Sequence, residues 1–167
     1  WSDLETSLKS LKTDYLDLYQ FHNISFVPKK DDELFKAMLE AKEKGMIRHI
    51  GITTHKITFA HESIESRLYE TLQYPFSYLS GEEEIELVEK CKKFDVGFIA
   101  MKAMGGGLIT NSKASFAFLN QFDNVLPIWG VQKISELDEF LSYDSTTVLD
   151  DELKSTIEND KKELGED

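Results

Sequence analysis

Leu4, Leu8 and Leu11 recur at helical spacing with polar residues between them, and residues 14–22 then tighten into a run of Tyr, Leu and Phe that reads as a strand. Asp31 and Asp32 bring negative charge to the start of a second helix. Its apolar stripe is Leu34, Phe35, Met38 and Leu39, and Gly45 stops it after Lys42 and Lys44. A strand is predicted over 47–53, a helix over 58–72 and a short aromatic strand over 74–79. Ser80 with Glu83 three residues on forms a capping box, which opens a helix carrying Ile85, Val88 and Cys91. A strand over 96–101 leads into Gly105, Gly106 and Gly107. Asn111 or Ser112 then caps a helix reaching Phe122, a strand follows over 125–129, and a last helix runs from Ser135 through Phe140.

Helix and strand alternate about every 25 to 30 residues, the signature of βα units and a parallel sheet, here of five strands. Continuous apolar runs such as 96–101 suit a sheet covered on both faces. A doubly wound domain with reversed strand order is the competing arrangement. Residues 144–167 differ in composition, with nine acidic and three basic side chains. They read as an acidic helical tail, either a solvated surface helix or the lead-in to another domain, so the chain divides at 1–143 and 144–167.

Composition narrows the function. The 167 residues are 41% hydrophobic and 11% aromatic, enough for a folded core. A formal charge of −12 with no dense basic face argues against nucleic acid. No apolar run approaches membrane-spanning length. The single cysteine, Cys91, leaves no intramolecular disulfide or thiolate cluster and suits a cytoplasmic protein. His49, His55 and His61 form no recognisable metal motif, so no metal site is expected.

Three places suggest chemistry. His22 ends a strand, where a parallel barrel places its reactive groups, though a loop histidine beside Asn23 is the plainer account. Gly105 to Gly107 lie between strand and helix and allow close backbone approach to a ligand, without forming the G-x-G-x-x-G fingerprint. The stretch from Gly130 through Gln132 to Lys133 lies just before the helix capped at Ser135, where open amides and a lysine suit a phosphate; a solvated lysine is the alternative.

Four stretches, taken together, resemble the aldo-keto reductases. Residues 7–22, SLKSLKTDYLDLYQFH, are similar to the family's helix and fourth barrel strand, ending in the active-site histidine. GMIRHIGIT, 45–53, resembles the lead into the fifth strand. FIAMKAMGGGLIT, 98–110, resembles the seventh strand and its cofactor loop, and LPIWGVQK, 126–133, the eighth strand and phosphate loop. The resemblance implies an α/β fold, a partial TIM (β/α)₈ barrel with five parallel strands and flanking helices. It implies an NADP(H)-dependent oxidoreductase that reduces a small-molecule carbonyl to an alcohol. It also implies that the first three strands, with the family's tyrosine acid, lysine and aspartate, lie outside this chain, leaving His22 as the catalytic member present and the fragment inactive alone.

For the cofactor, the resemblance places Thr53, Thr54 and Gln73 at the nicotinamide carboxamide, with Thr54 departing from the family's amide. Met101 stands where many members carry an aromatic ring, and Gly105, Gly130, Gln132 and Lys133 lie in the cofactor and phosphate loops. Within the family, FIAMK and PIWG are most similar to a bacterial and archaeal subgroup with a cysteine-rich ferredoxin-type segment after the barrel. That implies an iron-sulfur cluster in a C-terminal segment beyond this chain. A second reading is a non-catalytic half-barrel that associates, as a homo-oligomer or otherwise, through its open sheet edges.

Overall fold

The computed structural model describes residues 1–164. Five parallel strands form one sheet in the order β1-β2-β3-β4-β5, each strand beside its sequence neighbour. This order excludes the reversed arrangement of a doubly wound domain. The chain divides into two compact units, Trp1–Gln73 with Phe94–Val96, and Tyr74–Lys93 with the chain from Gly97 onward.

The first unit runs α1 (Ser2–Leu11), β1 (Leu16–Phe21), α2 (Glu33–Glu43), β2 (Ile47–Thr53), α3 (Ile57–Ser66) and the start of β3 (Thr71–Pro75). In α1, Leu4 and Leu8 are buried, as the spacing predicts, and Lys12 in the left-handed region ends the helix with its N–H on Leu8 O and Lys9 O. β2 is the most enclosed strand, with Ile47, Ile50 and Ile52 nearly free of solvent. Alternation sends Phe21 to the helix-covered face, 6.3 Å from the Phe35 ring of α2 and 6.1 Å from Tyr69.

The helix expected over 58–72 stops at Ser66. Arg67 enters the left-handed region at φ 56, and Tyr69 turns inward to donate to Pro28 O at 2.6 Å. The following strand begins at Thr71, not Tyr74, because parallel pairing needs Thr71 and Gln73 level with Gly51 and Thr53. Residues 76–79 are therefore a turn. Its Ser77 N–H donates to Ser80 Oγ at 3.1 Å, which removes Ser80 from the capping role. The Glu84 carboxylate instead accepts from Gly81 N–H at 2.9 Å ahead of the next helix.

The second unit contains α4 (Glu82–Lys93), β4 (Gly97–Met101), a 3₁₀ turn at Gly105–Gly107, α5 (Ser112–Leu119), β5 (Val125–Pro127), α6 (Ile134–Leu141) and α7 (Asp151–Leu164). Leu87, Val88 and Cys91 are the buried stripe of α4, and burial pushes the Cys91 thiol up to about 12, so it is an inert packing group. Phe76 joins Phe98 and Phe122 at ring distances of 5.6 and 5.4 Å. Asn111 caps α5, its side chain accepting from Ala114 N–H at 2.9 Å.

β5 is shorter than the strand expected over 125–129. Beyond Pro127 the Ile128 N–H still reaches Ala100 O at 2.9 Å, but Trp129 turns aside to stack on Phe140 at 4.4 Å. The acidic tail is not a merely solvated helix. Leu153 and Ile157 of α7 join a core with Tyr78, Ile109, Ala114 and Ala117, and the Tyr78 hydroxyl donates to Asp160. The last residues of that tail, 165–167, lie outside the described residues.

Candidate active site

In the first unit, register decides which side chains meet. Gln20 lies level with Gly51, Gly51 with Thr71, and Thr53 with Gln73. The two-residue period of a strand puts Gln20, Gly51, Thr71, Thr53 and Gln73 on the face opposite Phe21. Continuing the register by one residue places His22 level with Thr53. Asn23 at φ 54 turns the chain immediately after, so the exposed imidazole stands at the C-terminal end of β1.

Thr53 and Thr54 are buried at the end of β2. Thr54 N–H donates to Gln73 O at 3.1 Å, and Thr54 Oγ1 accepts from Lys56 N–H at 3.0 Å, just ahead of α3. Thr54 thus has a structural duty in the turn. Gln73 Oε1 accepts from Gln20 Nε2 at 2.9 Å. Outside this face, a groove of about 600 Å³ is lined by Trp1 and Leu4 of α1, Tyr19 of β1, Met38 of α2, and Phe26, with His22 also on its wall.

In the second unit, Met101 is the last residue of β4, and its carbonyl accepts from Phe76 N–H at 3.0 Å. Lys102 at φ 55 then reverses the chain, and Gly105 N–H returns to Lys102 O at 2.7 Å. Gly105 combines φ +58 with tight quarters: a Cβ there would lie 3.2 Å from Leu79 Cδ1 and Ile109 Cγ1. Gly130 is different, since a Cβ there would meet nothing within 4 Å. Its backbone is open to a ligand and its glycine is not imposed by packing.

The amides ahead of α6 are not open as the sequence suggests. Lys133, not Ser135, is the cap residue, and the Glu136 carboxylate accepts from Gln132 N–H at 2.8 Å and Lys133 N–H at 3.2 Å. These bonds, Gln132 foremost, hold the Glu136 carboxyl below the usual carboxylate range. An acidic side chain reaching back to the start of its own helix is ordinary capping chemistry. Here it stands where a phosphate was expected.

A profile of the Aldo/keto reductase family matches residues 2–123. The chain belongs to that family. An uncharacterized oxidoreductase of Bacillus subtilis, YqkF, is 29% identical over 107 residues, covering 64% of this chain and 34% of that protein. Prostaglandin F synthase 1 of Bos taurus is 28% identical over 134 residues, covering 64% of this chain and 39% of that protein. The chain thus spans about a third of the length of the curated relatives it matches. In fold, it is similar to aldo-keto reductase AKR11C1 from Bacillus halodurans, with TM-score 0.76 and 19% identity over 95% of this chain and 66% of that one. The sheet is therefore part of an aldo-keto reductase barrel.

Family membership gives the strand ends their interest, because the top face of such a barrel is built from them. Gln20 and Gly51 are the residues that sequence reasoning missed. The available signal was the two-residue period, which puts Gln20 on the same face as His22. Among the described residues no group of three His, Cys, Asp or Glu side chains could hold a metal ion, and the single cysteine, Cys91, is buried. No described helix is long and apolar enough to cross a membrane.

Proposed function

We propose that this chain carries the histidine and the cofactor-holding residues of an NADP(H)-dependent reductase that converts a small-molecule carbonyl to an alcohol. The single observation that supports this reading most is positional. His22, Thr53 and Met101 each stand at or immediately after the C-terminal end of their own parallel strand, within a family whose members work at that end. A holo form of the Bacillus halodurans protein indicates that a neighbour of this fold takes up a cofactor.

The residues present fit a nicotinamide dinucleotide. Gln73 supplies an amide and Thr53 a hydroxyl for a carboxamide, Thr54 is the weaker contact because its oxygen already serves Lys56 N–H, and Met101 offers a polarizable thioether to an aromatic face. Gly105 and Gly130 bring the backbone close to a ligand, while Gln132 and Lys133 take the phosphate end after displacing Glu136 from their amides. The cofactor, when bound, supplies the hydride. His22 orients the substrate carbonyl by donating a hydrogen bond to its oxygen, a positional role that leaves proton donation to another group.

None of this chain's tyrosines stands in the motif that carries the family's acid, so the 167 residues alone should bind NADP⁺ without turnover. Calorimetric titration with NADP⁺ tests the first part, and absence of binding up to millimolar concentration refutes it. An NADPH-dependent assay against a panel of aldehydes tests the second, where clear turnover overturns the claim of inactivity.

A second reading, association as a non-catalytic module, is favoured by one observation. At the β5 edge, Leu126 and Ile128, and Ile134, Leu137 and Leu141 of α6, are exposed apolar residues. Light scattering separates the readings: a monomer at high concentration counts against association through that edge.

A further inference from the structure

The loop that begins at His22 leaves β1 after Phe21, turns at Asn23 and reaches α2 at Glu33. Among the described residues, no backbone group of residues 23–28 bonds another backbone group, so side chains must set its path. His22, Asn23, Ser25 and Phe26 are exposed, whereas Val27 and Pro28 are buried. Tyr69 touches both ends of this stretch. Its ring stands edge-on to Phe21 of β1 at 6.1 Å and to Phe35 of α2 at 5.8 Å, while its hydroxyl donates to Pro28 O at 2.6 Å. Burial, with Asp32 and Glu62 nearby, raises the phenol far above its ordinary value, so the hydroxyl stays a donor. Two further ties reach the far end of the loop: Lys29 N–H donates to Asp32 Oδ2 at 2.6 Å, and Lys29 Nζ pairs with Glu62 of α3. Both are exposed, where such ties contribute little, whereas a buried carbonyl left without its donor is costly.

We propose that Tyr69 is a positioning residue for His22: its ring against Phe21 and its hydroxyl on Pro28 O fix the two ends of the loop that starts at the imidazole. The exposed middle of the loop then has few paths left to it, and His22 is presented in a narrow range of orientations. The ring is wedged between Phe21 and Phe35 by packing alone, so Tyr69→Phe keeps the wedge and removes only the bond to Pro28. That His22 goes on to orient a substrate carbonyl rests on the function proposed above; the hold of Tyr69 on the loop does not.

The test is NMR relaxation and amide exchange in the 167-residue chain as wild type, Tyr69→Phe and Lys29→Ala. Backbone order parameters over 24–28 should be near about 0.85 in wild type and fall below about 0.6 in Tyr69→Phe. In that variant the Val27 amide should exchange at least about tenfold faster and the His22 imidazole signals should move, while amides of β2 keep their rate. Lys29→Ala should leave all of these in place. A folded Tyr69→Phe protein with a wild-type loop overturns the proposal, as does equal acceleration in β2, which would mark general support and not positioning. A wild-type loop that is already mobile, or a Lys29→Ala effect as large as that of Tyr69→Phe, overturns it too. Should Tyr69→Phe not fold, detection of a slowly exchanging Tyr69 hydroxyl proton beside Pro28 in wild type decides, and its absence counts against the bond. In a separate arm, benzaldehyde added with NADP⁺ should shift the His22 imidazole signals, with about threefold weaker affinity in Tyr69→Phe. A wild type with an ordered loop and no such shift sinks the carbonyl reading of His22 and leaves the hold of Tyr69 standing.

Discussion

Thr53 and Thr54 are 7% and 6% exposed, at the end of a strand with a hydrogen-bonded neighbour on each side. Gln132 and Lys133 head a helix with no buried residue at all. The first pair is fixed by a sheet ladder and by Gly51, which leaves no room for a side chain. The second is fixed by surface devices: the Glu136 carboxylate, the Trp129–Phe140 stack, and Ser112 donating to Glu139 beside Tyr143. The chain thus fixes one strand end through the sheet and one helix start through surface contacts, two devices of very different burial.

The largest effect should come from disturbing the rigid part. Gly51→Val forces a side chain into Thr71 and Gln20, and should lower unfolding stability by about 2–3 kcal/mol in urea denaturation. Wild-type stability in that variant would mean that the close approach at Gly51 does not constrain β2. In the loose part, Trp129→Ala removes the 4.4 Å stack on Phe140 and should cost about 1–2 kcal/mol. Amide exchange should rise in α6 and stay slow in β2; equal acceleration in both would erase the contrast drawn here.

Alkaline pH probes the attachment of α7. Burial, aided by the neighbouring Asp160, raises the Tyr78 phenol far above its ordinary value, so the native state holds that proton more tightly than the unfolded chain. Its stabilising contribution is therefore complete below the unfolded tyrosine value of about 10 and is lost as pH rises beyond it. Thermal unfolding midpoints should fall above that pH in wild type and fall less in Tyr78→Phe, a difference of about 1 kcal/mol. Parallel pH curves for the two proteins would remove Tyr78 from the account.

The smallest effect concerns the amides ahead of α6, which we propose take the cofactor's phosphate. Glu136→Gln should loosen the carboxylate's hold on the Gln132 and Lys133 amides and remove a negative charge, strengthening NADP⁺ binding about two- to fivefold. Weaker binding in this variant would show that Glu136 shapes the loop for the ligand instead of competing with it.

Much of this was legible in the chain. Strong periodicity located the helix carrying Phe35 and Met38, and the run at 47–53 emerged as β2 with unchanged bounds. The 58–72 helix and the aromatic strand after it were misplaced because local pattern cannot sense ladder register. Tyr74 to Tyr78 is as good a strand by composition as Thr71 to Pro75, and pairing with β2 decides between them. The cap residues went astray for a related reason: Ser80 and Ser135 have the right chemistry, but a neighbouring turn had already claimed one, and the other lies inside its helix.

By itself the order of apolar and polar residues determined the five βα repeats and set His22 and the glycines at strand ends, because these depend on spacing along the chain, while four motif stretches carried the resemblance to the family. Only the tertiary structure decided that Gln20 donates to Gln73, that Glu136 occupies the amides ahead of α6, and that the acidic tail packs on Tyr78 through Leu153 and Ile157. The first and last join residues remote in sequence, and the Glu136 contact depends on where α6 actually begins, so each is settled by which side chain reaches an unsatisfied group first in space.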